Sequence, residues 1–203
     1  MDALNLTIGP LALFALVASI TPGPNNLLLM RSGAAFGVRR SLWHLFGVQA
    51  GFVGLLLLCH LGIGALLLAL PGAFVVLRWA CFAYLLWLAW LILRDSKPQA
   101  GGTVASSGRP LRWIEGVMFQ LINPKAWMMA ITVASAFYGS VAPTAADLAI
   151  ATLICLFIGG PSMLIWTIWG ASIDRVLKQP RERALFGYAM AALVAATACW
   201  MLK

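Results

Sequence analysis

The chain has 203 residues, 62% of them hydrophobic and only 10% charged, and it contains long runs without any charge. No soluble domain needs so many apolar side chains to fill its core, so the composition excludes a soluble protein and identifies an integral membrane one. A net charge of +8 would suggest nucleic acid in a soluble chain, but here the basic residues gather in the loops of a membrane protein, and nucleic acid is not an expected partner.

A spanning helix takes about 20 mostly apolar residues. The hydropathy pattern predicts six, over residues 4–30, 42–70, 73–93, 113–138, 145–170 and 184–202. The first has no charge between Asp2 and Arg31, yet residues 21–26 read TPGPNN. In hydrocarbon every backbone N–H and C=O must find an internal partner, so a helix is interrupted only where protein or a small wet cavity receives the freed groups. Pro22 and Pro24 remove two donors and disrupt the preceding turn. Beyond Gly23, a half-helix starting near Asn25 presents free N–H groups at the positive end of its dipole, a carboxylate site made largely of backbone. The amides of Asn25 and Asn26 either hold the broken ends or read a substrate. The segment lacks a basic leader and runs on to PGPNN rather than to a small-residue cleavage site, so it is expected to be retained.

In the second segment Gly47, Gly51 and Gly54, then Gly62 and Gly64, recur at turn spacing and read as small faces for close helix packing. Gln49 either donates into a cavity or bonds between helices. His44 near one interface and His60 deeper read as satisfied packing residues. In the third segment Tyr84 carries a hydroxyl that needs a partner if buried, and Arg78 is placed to snorkel. Residues 96–110, SKPQAGGTVASSGRP, form the one linker-like stretch.

The fourth segment is interrupted in turn by INPKA at 122–126, where Asn123 and Pro124 repeat the chemistry of the first break and Lys125 adds a positive charge at membrane depth. Such a charge is expensive and marks a functional candidate, unless the lysine snorkels to the headgroups. In the fifth segment GGPS at 159–162 would bend the helix, as a structural kink or a gating hinge. Glu115 and Asp147 sit near helix ends, and most tryptophans read as an interfacial belt. The four cysteines lie in apolar spans without metal-ligand spacing and read as packing residues. Neither catalytic residues, nor a metal, nor a cofactor is expected.

Eleven of the fourteen Lys and Arg residues fall between segments one and two (Arg31, Arg39, Arg40), three and four, and five and six. By the positive-inside rule those loops are cytoplasmic and both termini lie outside. Residues 1–95 then make one three-helix repeat, 96–111 a cytoplasmic linker, and 112–203 a second repeat that enters the membrane from the opposite side. Paired interruptions in corresponding places of two inverted halves point to a transporter site. SGAAFG at 32–37 and ASAFYG at 134–139 follow the two breaks at offsets that agree within about two residues.

At TPGPNN, GVQAG, AYLLWLAW and INPKAW the chain resembles the LysE/RhtB superfamily of bacterial amino-acid exporters, over almost its whole length. ITPGPNNLLL and LRWACFAYLLWLAW look closest to the branch that exports cysteine, O-acetylserine and other small neutral amino acids. The resemblance implies a six-helix inner-membrane carrier, an all-α protein that moves amino acids outward against protons, as a dimer among lipids. It matches Pro22, Gly23, Pro24 and Asn25 to one family motif and Asn123, Pro124 and Lys125 to another. GFVG after Gln49 lacks the Asp that some exporters of basic amino acids carry, which speaks against lysine or arginine as substrate. Two other classes compete: a membrane thiol-electron carrier, which needs thiolates beside the breaks, and a structural or lipid-handling membrane protein.

Overall fold

The computed structural model describes residues 3–96, 109–136, 144–177 and 179–202. The linker between Ser96 and Arg109, and the loop around Gly139, lie outside the described residues. Within them the chain is all-helical: α1 (Ala3–Ile20), α2 (Pro24–Phe36), α3 (Val38–His60), α4 (Ile63–Ala69), α5 (Pro71–Asp95), α6 (Trp113–Ile122), α7 (Pro124–Ala136), α8 (Ala145–Val176) and α9 (Pro180–Trp200).

Both predicted interruptions are real. α1 ends at Ile20, and α2 leaves it at an angle of 55°. α2 starts on Pro24 and α7 on Pro124, the helix position where a missing N–H costs nothing and the ring presets φ. α2 continues to Phe36, where Gly37 takes φ 77° and ends it. α3 begins on the next residue. Arg31 is therefore helical, not part of a loop, because a helix restarted at Pro24 has room for several turns before that glycine.

The predicted span 42–70 is also two helices. Gly62 adopts φ 86°, and a Cβ added there would meet nothing within 4 Å. It is a break, not a packing face. Gly54 likewise has open space before it, whereas Gly47 and Gly51 do face another helix. α8 continues through Pro161 as one element.

Among the described residues four helices are long and apolar enough to cross a membrane: Val38–His60, Gly72–Asp95, Ala145–Ile173 and Pro180–Trp200. The bent pair Ile8–Ile20 with Pro24–Phe36 supplies a fifth span, while α6 alone is shorter. Val76, Phe157 and Leu185 point outward, as lipid-facing side chains of a multi-pass membrane protein do. Cys59, Cys81 and Cys155 are buried, but Cys199 is exposed.

The bundle closes through glycine-lined crossings. A Cβ on Gly33 of α2 would collide with the Thr167 carbonyl of α8, and one on Gly170 of α8 with the Met30 carbonyl of α2. α3 and α6 meet similarly, Gly47 against the Trp113 carbonyl and Gly116 against that of His44. α1 also packs on α8, α7 on α3, and α5 on α9. One core joins α1, α3, α7 and α8 around Phe52, Leu55, Trp127 and Ala151. Another joins α2, α5, α6 and α9 around Leu28, Leu85, Phe119 and Val194. At the mouth of α6, Glu115 accepts from the backbone N–H of Arg112 (2.7 Å) and from the side chain of Arg109. That carboxylate holds the Arg109 guanidinium above its ordinary pKa.

Candidate functional site

The last carbonyls of α1 have lost their helical partners, as at any helix end. Side chains from elsewhere collect them. Asn26 Nδ2 donates to Ser19 O (2.8 Å) and Thr21 O (2.9 Å). Trp166 Nε1, from α8, reaches Ile20 O at 3.3 Å. Lys125 Nζ donates to Thr21 O (2.9 Å) and Pro22 O (3.4 Å). Its ammonium thus lies at the negative end of the α1 dipole. It does not snorkel away; it crosses from the second break to the first.

The second break is closed by its own side chains. Trp127 Nε1 donates to Leu121 O (2.8 Å), and Asn123 Oδ1 accepts from the Lys125 N–H (3.1 Å). Asn123 Nδ2 donates to Gln120 Oε1 at 3.3 Å, and the same oxygen accepts from Asn25 Nδ2 at 2.7 Å. Gln120 and Lys125 therefore tie the two breaks directly together.

The two half-helices differ at their starts. Asn123 caps α7, but the residue before α2 is Gly23, which has no side chain to cap with. The N–H groups of Asn25 and Asn26 stay available for an anion. Asn25 Oδ1 is buried and finds no partner among the described residues. Gly23 is also what admits the lysine, since a Cβ there would lie 2.9 Å from Lys125 Nζ.

A cavity opens onto these groups. Gly23, Pro24, Asn25, Asn26, Ser19, Gln49, Gln120 and Lys125 form its polar wall, and Phe14, Phe52, Met129, Val133, Cys155 and Met163 are on its apolar wall. It holds only about 30 Å³, room for a water but not for an amino acid. No carboxylate is among the described residues that line it. Such a site offers N–H donors and an ammonium to a carboxylate, and amide and hydroxyl acceptors to an amine, against a wall suited to a small apolar group.

Six predicted site residues thus meet at the cavity: Gly23, Pro24, Asn25, Asn26, Gln49 and Lys125. Gln49 faces it while donating to Leu156 O of α8 at 3.2 Å. Pro22, Asn123 and Pro124 shape the breaks without lining it. Tyr84 is elsewhere, stacked between Phe119 (5.3 Å) and Trp87 (5.6 Å). Gln120, which is fully buried, is not among the expected site residues; its signal in the sequence is the single amide in the apolar run VMFQLI. Tryptophan is expected at the interfacial belt, whereas Trp127 and Trp166 serve the broken ends. Cys155 lines the cavity although it is far from both breaks in sequence.

The family described as LysE type translocator matches residues 16–202. A cysteine/O-acetylserine efflux protein of Klebsiella pneumoniae is 34% identical over 164 residues, covering 80% of this chain and 81% of that protein. Proteins of the same description from Escherichia coli K12 and Shigella sonnei are each 29% identical over 167 residues, covering 82% of this chain and 83% of theirs. No solved structure matches the chain.

Proposed function

The chain belongs to the LysE type translocator family, and on that premise we propose that it is a secondary transporter exporting small neutral amino acids, or close derivatives, across the bacterial inner membrane in exchange for protons. The observation that carries this reading is the uncapped start of α2, open to a cavity that Lys125 shares and that no described carboxylate lines. A substrate carboxylate is held by the Asn25 and Asn26 N–H groups and by Lys125, and its ammonium by Asn25 Oδ1 and neighbouring acceptors. The similarity to cysteine/O-acetylserine efflux proteins supports a small polar substrate of that kind.

Six spans in two inverted halves, 1–95 and 112–203 about a cytoplasmic linker, accommodate the helices if α6 and α7 together make one broken span. The packing supports this. Exchanging α1, α2, α3 and α5 with α6, α7, α8 and α9 converts the α2–α8 contact into α7–α3 and α1–α8 into α6–α3, and leaves α5–α9 as it is.

Cells loaded with labelled cysteine, O-acetylserine, serine or lysine test the function. The neutral compounds should leave about tenfold faster than from cells without the protein, and lysine no faster. Equal efflux of all four with and without the protein would sink the reading.

Orientation has its own test, in a background lacking the native cysteines. Gly72→Cys, at the exposed start of α5, should react with an impermeant thiol reagent on intact cells, and Gln179→Cys, before α9, only after permeabilisation. The reverse pattern would invert the topology, and labelling of both on intact cells would mean a miscounted span.

A further inference from the structure

His44, in the second turn of α3, is fully buried, and neither Nδ1 nor Nε2 finds a hydrogen-bond partner among the described residues. A packing histidine ordinarily satisfies at least one ring nitrogen, and the expectation of a satisfied ring here is not met. Its surroundings are otherwise arranged with care. One turn back, Ser41 Oγ donates to Gly37 O (2.9 Å) and shares a 2.8 Å bond with Ser32 Oγ of α2, both hydroxyls buried. In the other direction Gln49 lies about 7.5 Å further along the helix axis, at the cavity wall. The ring therefore stands between the cavity and the end of α3 that carries Arg39 and Arg40, the cytoplasmic end in the reading above.

The charged and titratable groups on the elements around α3 are few. α2 carries Arg31, α6 carries Glu115 with Arg109 and Arg112 before it, α7 carries Lys125, and α4 carries none. On α8, Asp147 is at the remote end and Cys155 lines the cavity, while the side chains of Asp174 and Arg175 lie outside the described residues. Among these, Glu115 is the carboxylate next to Gly116, which packs against the His44 carbonyl.

We propose that His44 is the proton-carrying side chain of the transport cycle, taking one proton at an unpartnered ring nitrogen from the outward side and releasing it to the cytoplasm in exchange for an exported amino acid. This rests on the transport reading. The ring is fully buried with no hydrogen-bond partner among the described residues, and an imidazolium there would carry the full cost of a buried charge. Protonation must therefore favour a second arrangement of the α3–α6 crossing, in which water or Glu115 reaches the ring. A side chain whose two protonation states prefer different packings links proton binding to movement. Imidazole ordinarily titrates near pH 6.5, within the range that bacterial membranes experience.

Proteoliposomes and radiolabelled, reduced L-cysteine test this. His44→Gln should exchange labelled for unlabelled cysteine at equal pH within about twofold of wild type, yet lose about tenfold or more of the accumulation driven by a pH gradient, together with the proton movement seen by a trapped pH dye. Accumulation equal to wild type would overturn the proposal. Should His44→Gln fail to insert, a His60→Gln protein with 15N-labelled histidine leaves His44 as the only ring. Its protonation between about pH 8 and 5, altered by cysteine, supports the proposal, and a ring neutral throughout overturns it. Wild-type liposomes that move no cysteine at all would instead overturn the transport reading beneath it.

Discussion

Lys125→Met is expected to cut efflux by roughly ten- to a hundredfold at equal membrane abundance, the loss of one charge-assisted hydrogen bond of about 1.5–3 kcal/mol. Methionine keeps a flexible stem of similar reach, so insertion should survive. What disappears is the ammonium that holds Thr21 O and Pro22 O and faces the open start of α2. Lys125→Arg should retain part of the activity, because the charge remains while the planar fork needs more room than the space beside Gly23 offers. Gly23→Ala is the companion. Its Cβ would press on Lys125 Nζ and Cδ, at 2.9 and 3.0 Å, so it should reproduce much of the defect by displacing the lysine. Combined with Lys125→Met it should add little, as groups acting on one another do in a double-mutant cycle. Normal efflux by Lys125→Met would remove this residue from the site, and additive losses in the double variant would separate Gly23 from it.

The largest effect on folding is expected at the α2–α8 crossing. Gly170→Val directs its Cβ into the backbone carbonyl of Met30, which cannot swing aside as the end of a side chain can. Overpacking of an ordinary core costs about 1–3 kcal/mol, and a clash with backbone should exceed that. Against a total stability of about 5–15 kcal/mol, folded protein recovered in detergent should fall several-fold or more. Gly33→Val, facing the Thr167 carbonyl, should behave alike, while Gly54→Val, with nothing within 4 Å of its Cβ, should accumulate as wild type. Equal recovery of all three by size-exclusion chromatography would show that this crossing is not the close one.

The breaks were legible in the sequence because their cause is local. Two prolines around a glycine, or a proline after asparagine, stop a helix whatever lies nearby. Long charge-free runs, too, declare themselves by length alone. What the breaks bind was not legible. Asn25 and Gln120 are 95 residues apart, and no pattern within one helix announces that their amides meet. The glycines of the second segment make the same point. Gly47 and Gly62 are equally bare in sequence, yet one admits a neighbouring backbone and the other turns the chain into a new helix, because only tertiary surroundings distinguish the two uses. A charge usually ends a span, but α2 begins late and carries Arg31 inside. The unpartnered ring of His44 is not legible for a related reason: whether a buried ring has partners depends on helices that the sequence does not align.

The mutual bonding of the two breaks bears on leakage. Lys125 and Asn25, which the proposed function assigns to the substrate, are also the groups that bond the two breaks to each other. Parting the two breaks would forfeit those bonds unless a substrate replaced them. On that reading a cargo with a carboxylate and an amine would replace them. On the transport function proposed above, the same few atoms would keep an idle carrier from short-circuiting an ion gradient.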